Sequence, residues 1–166
     1  GVKEKYVPVD NATKEKTKKK YSVGKEYFLF VGALHPRKNV HRLLRAFDVF
    51  KSETLSDVQL VVVGNMSWKT GEIKKNLAQS AYKKDIHFLG FLGQEALSLV
   101  TASAFALCYP SLNEGFGVPI AEAMYCDVPV ITSDCSSMPE VAGDAALLVD
   151  PESVESIARA MTKLIN

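Results

Sequence analysis

The sequence predicts a doubly wound α/β domain: a mostly parallel, six-stranded sheet with helices on both faces. Three observations carry that reading. Short apolar runs recur at residues 27–31, 58–63, 86–89, 104–109, 128–131 and 145–149, and they are continuous, as in strands buried on both faces. Amphipathic stretches with helical spacing lie between them. The intervals are also long enough for the crossovers that parallel pairing requires.

Ahead of the first run, residues 1–26 hold eight lysines and four acids, and the rest of the chain holds twelve bases and fifteen acids. The lysine run TKEKTKKK has no aromatic residue on which a base would stack. We read 1–26 as a solvated, lysine-rich tail or linker, with no nucleic-acid partner, and 27–166 as the domain. After the first strand, Val40, Leu43, Leu44, Phe47 and Phe50 follow the i, i+3, i+4, i+7 pattern of a helix led by Asn39. The final helix is expected to open with Asp150 as N-cap and Pro151 at its first position. Its apolar stripe is Val154, Ile157, Ala158, Met161 and Leu164.

At 166 residues, 47% hydrophobic and 23% charged, the chain has the length and composition of one globular domain, not of a disordered or disulfide-dense protein. No apolar run approaches the ~20 residues of a membrane span, and residues 1–10 lack the apolar stretch of a signal peptide. Cys108, Cys126 and Cys135 have no metal-ligand spacing. Their odd number and apolar neighbours predict buried free thiols in a reducing, cytoplasmic setting. The chain has no G-x-G-x-x-G after the first strand, no G-x-x-x-x-G-K-[ST], no G-x-S-x-G and no H-E-x-x-H. These absences remove the standard dinucleotide, P-loop, hydrolase-elbow and zincin signatures.

In open α/β sheets ligands sit beyond the carboxyl ends of the strands, so function is sought just after each apolar run. The stretch after the fourth run is PSLNEGFGVPIAEAM. It places Glu114 in a loop, Gly115 and Gly117 around Phe116, Pro119 where a helix begins, and Glu122 about a turn inside that helix. A carboxylate suits a vicinal diol, glycines let main-chain N–H groups approach an oxyanion, and a helix N-terminus favours phosphate. The same residues also read as a first-turn acid complementing the helix dipole, two turn glycines and a solvated acid. After the first run, GALHPRKN ends a strand at Gly32 and sets Arg37 and Lys38 before a helix. That pair suits a diphosphate and equally an exposed basic loop. Trp68 is a candidate base-stacking residue or a packed loop aromatic. Lys69, Lys74 and Glu140 are minor candidates at the same rim. His41 and His87 fall inside elements and read as structural, whereas His35 is a loop residue.

GALHPRKN, VVVG, HFLGF and above all EGFGVPIAE resemble the carboxyl-terminal half of the group-1 (family 4) retaining glycosyltransferases of GT-B fold. Glu114 and Glu122 match that family's E-x(7)-E signature, and GVKEKYVPVD resembles its interdomain stretch. The resemblance implies a Rossmann-like donor domain that takes a UDP-, GDP- or ADP-sugar and needs neither cofactor nor catalytic metal. It implies that Arg37 and Lys38 hold the donor diphosphate, that Glu122 holds the ribose hydroxyls, and that Glu114 lies beside the donor sugar near the reacting carbon. Gly32 and the main chain at Phe116, Gly117 and Val118 would meet phosphate and sugar. Phe91 and Leu92, after Gly90, would meet the base. The family's amino-terminal half, which supplies most acceptor contacts, has no counterpart here. We therefore expect a fragment that binds nucleotide but is inactive alone, with membrane association only for the full enzyme. The alternatives are a non-catalytic nucleotide- or phosphosugar-binding module, and a GT-B relative such as an epimerase or phosphorylase.

Overall fold

The computed structural model describes residues 5–66 and 69–166; Trp68 lies outside them. Six strands, β1 (Tyr27–Val31), β2 (Gln59–Val63), β3 (Ile86–Gly90), β4 (Ala106–Tyr109), β5 (Val130–Ser133) and β6 (Ala146–Val149), form one sheet in the order β3-β2-β1-β4-β5-β6. Every pairing is parallel. Phe28, Leu29 and Phe30 of β1 and Leu60, Val61 and Val62 of β2 are fully buried, which is why these runs carry no polar alternation.

The helices are α1 (Asn11–Tyr21), α2 (Val40–Thr54), α3 (Gly71–Gln79), α4 (Gln94–Ala102), α5 (Val118–Tyr125), α6 (Met138–Ala142) and α7 (Val154–Ile165). On one face α2 packs against α3 and α7; on the other, α4 lies with α1 and α5, and α5 with α6. Leu43, Leu44, Phe47 and Phe50 of α2 are buried, and Phe50 meets Phe28 edge to face at 5.3 Å between ring centroids. The chain builds outward from β1 to β3 and then returns to β4 beside β1. The loops after β1 and β4 therefore meet where the strand order reverses, the position at which such sheets bind ligands.

Four expectations are corrected. The lysine run is not an open solvated linker but α1. Asp10 Oδ1 accepts from Thr13 N–H at 2.8 Å at its start, and Lys18, Lys19 and Lys20 occupy its last turn, where the helix dipole favours cations. Lys18 is buried and bridges Glu15 (2.8 Å) and Glu26 (2.6 Å). The last helix begins at Val154, with Ser153 Oγ as the cap acceptor for Ser156 N–H. Asp150 instead closes a turn by accepting from Glu152 N–H at 3.0 Å. Asn39 caps nothing with its side chain. Fully buried and left-handed at φ 68°, it donates from Nδ2 to the carbonyls of Pro110 (2.9 Å) and Pro151 (2.6 Å), tying together the loops after β1, β4 and β6. Cys108 and Cys126 are buried, but Cys135 is only partly so.

The closest backbone approach bearing on the rim is at Gly64, just after β2. A Cβ there would lie 1.7 Å from the Gly32 carbonyl oxygen, a distance only a backbone shift relieves. Gly64→Ala is expected to cost about 3 kcal/mol or more of folding stability, in the range of overpacking combined with strained backbone. Urea denaturation of the two proteins checks it.

Candidate functional site

Beyond β1 the chain passes Gly32 and makes a tight 3-10 turn, Pro36–Lys38, whose entry is held by His35 Nδ1 accepting from Arg37 N–H at 3.2 Å. The turn is docked on the loop after β4, since Leu112 N–H donates to the Arg37 carbonyl at 2.8 Å. Lys38 then runs inward. Its Nζ donates to Tyr109 Oη at 2.9 Å and to Glu114 Oε2 at 2.6 Å. Arg37 Nη1 reaches the same carboxylate oxygen at 3.3 Å and the Asn113 carbonyl at 3.4 Å.

These three charged groups are not equally placed. The Lys38 and Glu114 side chains are 11% and 9% exposed, whereas that of Arg37 is 51% exposed. Two cations face one carboxylate, so a net positive charge remains, and the solvent-facing share of it is the guanidinium. Burial, reinforced by the nearby Glu114 charge, pushes the Tyr109 hydroxyl far above its ordinary pKa, so it stays protonated. The Glu114 loop is pinned from behind: Ser136 Oγ accepts from Glu114 N–H at 3.1 Å, and Ser137 Oγ donates to the Glu114 carbonyl at 3.0 Å.

The same loop leads to α5. Gly117 precedes the helix at φ +77°, in the left-handed region where a side chain is strained. Its Cβ would also press Ile120 Cδ1 at 3.1 Å. Phe116 and Val118 are exposed. A hollow of about 210 Å³ opens at the ends of β1, β2 and β3, lined among others by Gly32, Gly64, Phe91 and Leu92. It adjoins the charged cluster, because a Cβ on Gly32 would lie 3.8 Å from Lys38 Cε. A second hollow, of about 490 Å³, opens beside Gly115 and Phe116 between α5 and α6.

The structure thus joins Arg37, Lys38 and Glu114 by direct bonds and gathers Gly32, Phe91 and Leu92 around one hollow. Glu122 makes none of those contacts. It is half-buried on α5 and shares a hydrogen bond with the hydroxyl of Tyr6, a buried residue of the lead-in stretch. Burial raises the Glu122 carboxyl above the usual carboxylate range, with the Tyr6 hydrogen bond opposing it. Because the folded form binds the proton more tightly, this group's stabilising contribution is complete below the unfolded pKa and is lost as pH rises through the folded one. Glu122→Gln should therefore leave stability unchanged at low pH and raise it relative to the wild type at neutral pH. Urea midpoints across pH 3–8 check the crossover.

Of the other candidates, His41 is half-buried on α2 and its imidazole is held below its ordinary pKa by burial. His87 Nε2 lies 2.8 Å from Gln59 Oε1. His35, His41 and Lys69 line a separate hollow of about 330 Å³, and Lys74 is an exposed residue of α3. Residues that sequence reasoning did not single out are Tyr6, Tyr109, Ser136 and Ser137. Tyr109 carried a signal as the polar-tipped last residue of an apolar run, and Ser136 and Ser137 as part of TSDCSSMPE, a polar stretch after the fifth run that could line the site.

The fold is thus a Rossmann-like α/β domain with two cations and a carboxylate gathered at its switch point. The chain belongs to the glycosyl transferases group 1 family, whose model matches residues 11–166. It is 36% identical over 154 residues to the O-antigen chain mannosyltransferase B of Escherichia coli, covering 92% of this chain and 40% of that one. In fold it is similar to Anabaena Alr3699/HepE, solved in complex with UDP and glucose. The TM-score is 0.87 at 20% identity, over 99% of this chain and 45% of that one. It is also similar to the C-terminal domain of a group 1 family protein (LpcC) from Francisella tularensis, with TM-score 0.80 at 23% identity, over 98% and 86% of the two chains. The chain therefore spans less than half the length of the E. coli relative.

Proposed function

We propose that this chain is the donor-binding half of a metal-independent, retaining glycosyltransferase that moves a sugar from a nucleoside-diphosphate sugar to an acceptor. The observation that carries the reading is the Arg37–Lys38–Glu114 cluster, set beside a hollow at the sheet's switch point. Bond cleavage at the anomeric carbon leaves negative charge on the departing diphosphate. Fixed cations in a partly dry site stabilise that charge without reorganising. Lys38 supplies a fixed cation, Arg37 a fork able to swing onto a phosphate, and the N-terminus of α5 at Gly117 and Val118 a favourable dipole.

Glu114 lies beside the reacting carbon in this reading. With its carboxylate engaged at 2.6 Å by Lys38, it is a poor free nucleophile. Its role is to orient the donor sugar and to balance the lysine, while the acceptor attacks on the face the diphosphate leaves. Glu122 takes the ribose hydroxyls, Gly32 and the main chain of Phe116, Gly117 and Val118 take phosphate and sugar, and Phe91 and Leu92 border the base. The E. coli mannosyltransferase relative favours a mannosyl donor, and the UDP complex of the structural neighbour favours a nucleotide in the hollow. The remaining half of the protein supplies most of the acceptor contacts, so this chain alone binds nucleotide without transferring sugar. The free thiols Cys108, Cys126 and Cys135 support a cytoplasmic setting. Among the described residues no helix is long and apolar enough to cross a membrane.

Calorimetric titration with UDP, GDP and ADP tests the reading, with and without EDTA. At least one nucleotide is expected to bind, with the chelator making no difference. A folded chain that binds none of the three at millimolar concentration overturns it.

A further inference from the structure

The hollow between α5 and α6, about 490 Å³ and open to solvent, has no part in the contacts assigned above beyond the main chain of Phe116. Its chemistry differs from that of the cationic rim. Two aromatic side chains stand exposed at it, Phe116 at 63% and Tyr125 at 43%. Met124 and Val141 are apolar, and Ser137 and Glu140 are polar. No lysine or arginine lines it, and Glu140 has no ion-pair partner among the described residues. A carboxylate without a neighbouring cation repels phosphate, and it is a costly group to bring beside an acyl chain.

One class of ligand matches both halves of this surface. A neutral pyranose has an apolar C–H face, which an aromatic ring covers, and a hydroxyl edge, which a carboxylate and a serine hydroxyl satisfy. The hollow is also wired to the reacting centre. Ser137, in its wall, donates to the carbonyl of Glu114 at 3.0 Å, and Phe116 follows Glu114 by two residues. We infer that the α5–α6 hollow is a saccharide subsite holding the glycan chain of the acceptor beside the sugar being transferred. The acceptor role rests on the donor-domain reading above; the binding of a neutral saccharide does not.

The test is amide NMR of the 166-residue chain titrated separately with methyl α-mannopyranoside, a linear α-linked mannotetraose, mannose 6-phosphate, UDP and GDP. The mannotetraose should shift Phe116, Tyr125 and Val141 with millimolar saturation, and the monosaccharide should do so more weakly. A nucleotide should shift Gly32, Lys38 and Phe91 instead. Tyr125→Ala combined with Glu140→Gln should abolish the mannotetraose shifts and leave nucleotide binding unchanged, with a dispersed spectrum confirming that the variant is folded. Three results overturn the inference: no mannotetraose shifts at tens of millimolar, shifts that survive the double substitution, or tighter binding of mannose 6-phosphate. Nucleotide binding without saccharide binding sinks this subsite alone. Saccharide in the hollow with no nucleotide bound supports the subsite and sinks the donor reading.

Discussion

Lys38→Met is expected to weaken UDP or GDP binding by about 100-fold or more, the scale of removing a charged partner from a largely desolvated hydrogen-bonded pair. Methionine keeps most of the stem volume, so the loss reports the ammonium rather than a cavity. The same change strands Glu114. Its carboxylate loses the 2.6 Å partner and, among the described residues, keeps as ion-pair partner Arg37 at 3.3 Å, from a side chain half in solvent. An uncompensated buried carboxylate costs about 3 kcal/mol, so urea denaturation should show a clear fall in stability. Lys38→Met with Glu114→Gln should recover most of that stability, but of the nucleotide affinity only the several-fold share that the Glu114 charge itself takes away. Arg37→Ala is expected to cost much less stability, because an exposed pair contributes only about 0–1 kcal/mol. Calorimetry with the nucleoside and the diphosphate nucleotide separates the effects, since the nucleoside should bind all variants alike. Equal losses for both ligands would assign Lys38 a structural role.

The sheet was largely legible because burial on both faces leaves a local mark, an unbroken apolar run, at each strand. Boundaries were less so. The fourth run starts at Ala104, yet β4 starts at Ala106, because Phe105 N–H pairs with the Tyr27 carbonyl at 2.9 Å and only then does the strand proper begin. Asp150 and Ser153 are both good cap residues in sequence. The choice falls to Ser153 because the Asp150 carboxylate takes the Glu152 N–H and the Pro151 carbonyl takes Asn39, a partner 112 residues away. The lysine run looked solvated for a similar reason: Glu26, the acid that helps bury Lys18, lies beyond the end of the helix and meets it only once the chain turns into β1.

The charged rim was legible in part. Residue types and strand ends placed Arg37, Lys38 and Glu114 at one edge, and the adjacency of β1 and β4 turns that into contact across 76 residues. Nothing local signals that Lys38 is buried under Tyr109 or that Tyr6 meets Glu122. Both depend on which side of a loop the backbone turns, here fixed by the buried Asn39 and by the packing of the lead-in stretch.

Glu114→Gln is expected to tighten binding of the bare nucleotide diphosphate several-fold and to loosen binding of the nucleotide sugar. With the carboxylate present, Lys38 and Arg37 are already engaged, and an incoming diphosphate must compete with a negative charge a few ångströms away. At an effective dielectric near 20 such a repulsion amounts to a few kcal/mol, which salt and the exposed Arg37 reduce to about 1 kcal/mol, or roughly fivefold in affinity. Glutamine keeps an acceptor for Lys38 and removes the charge, so stability falls by only about 1–2 kcal/mol. The sugar-bearing donor loses the acceptor its hydroxyls require, and its affinity falls by about tenfold. The preference between UDP and UDP-glucose, or GDP and GDP-mannose, should therefore reverse in calorimetry, with the gain for the bare nucleotide shrinking as salt is raised. A parallel loss for both ligands would mean that Glu114 only holds the loop in place.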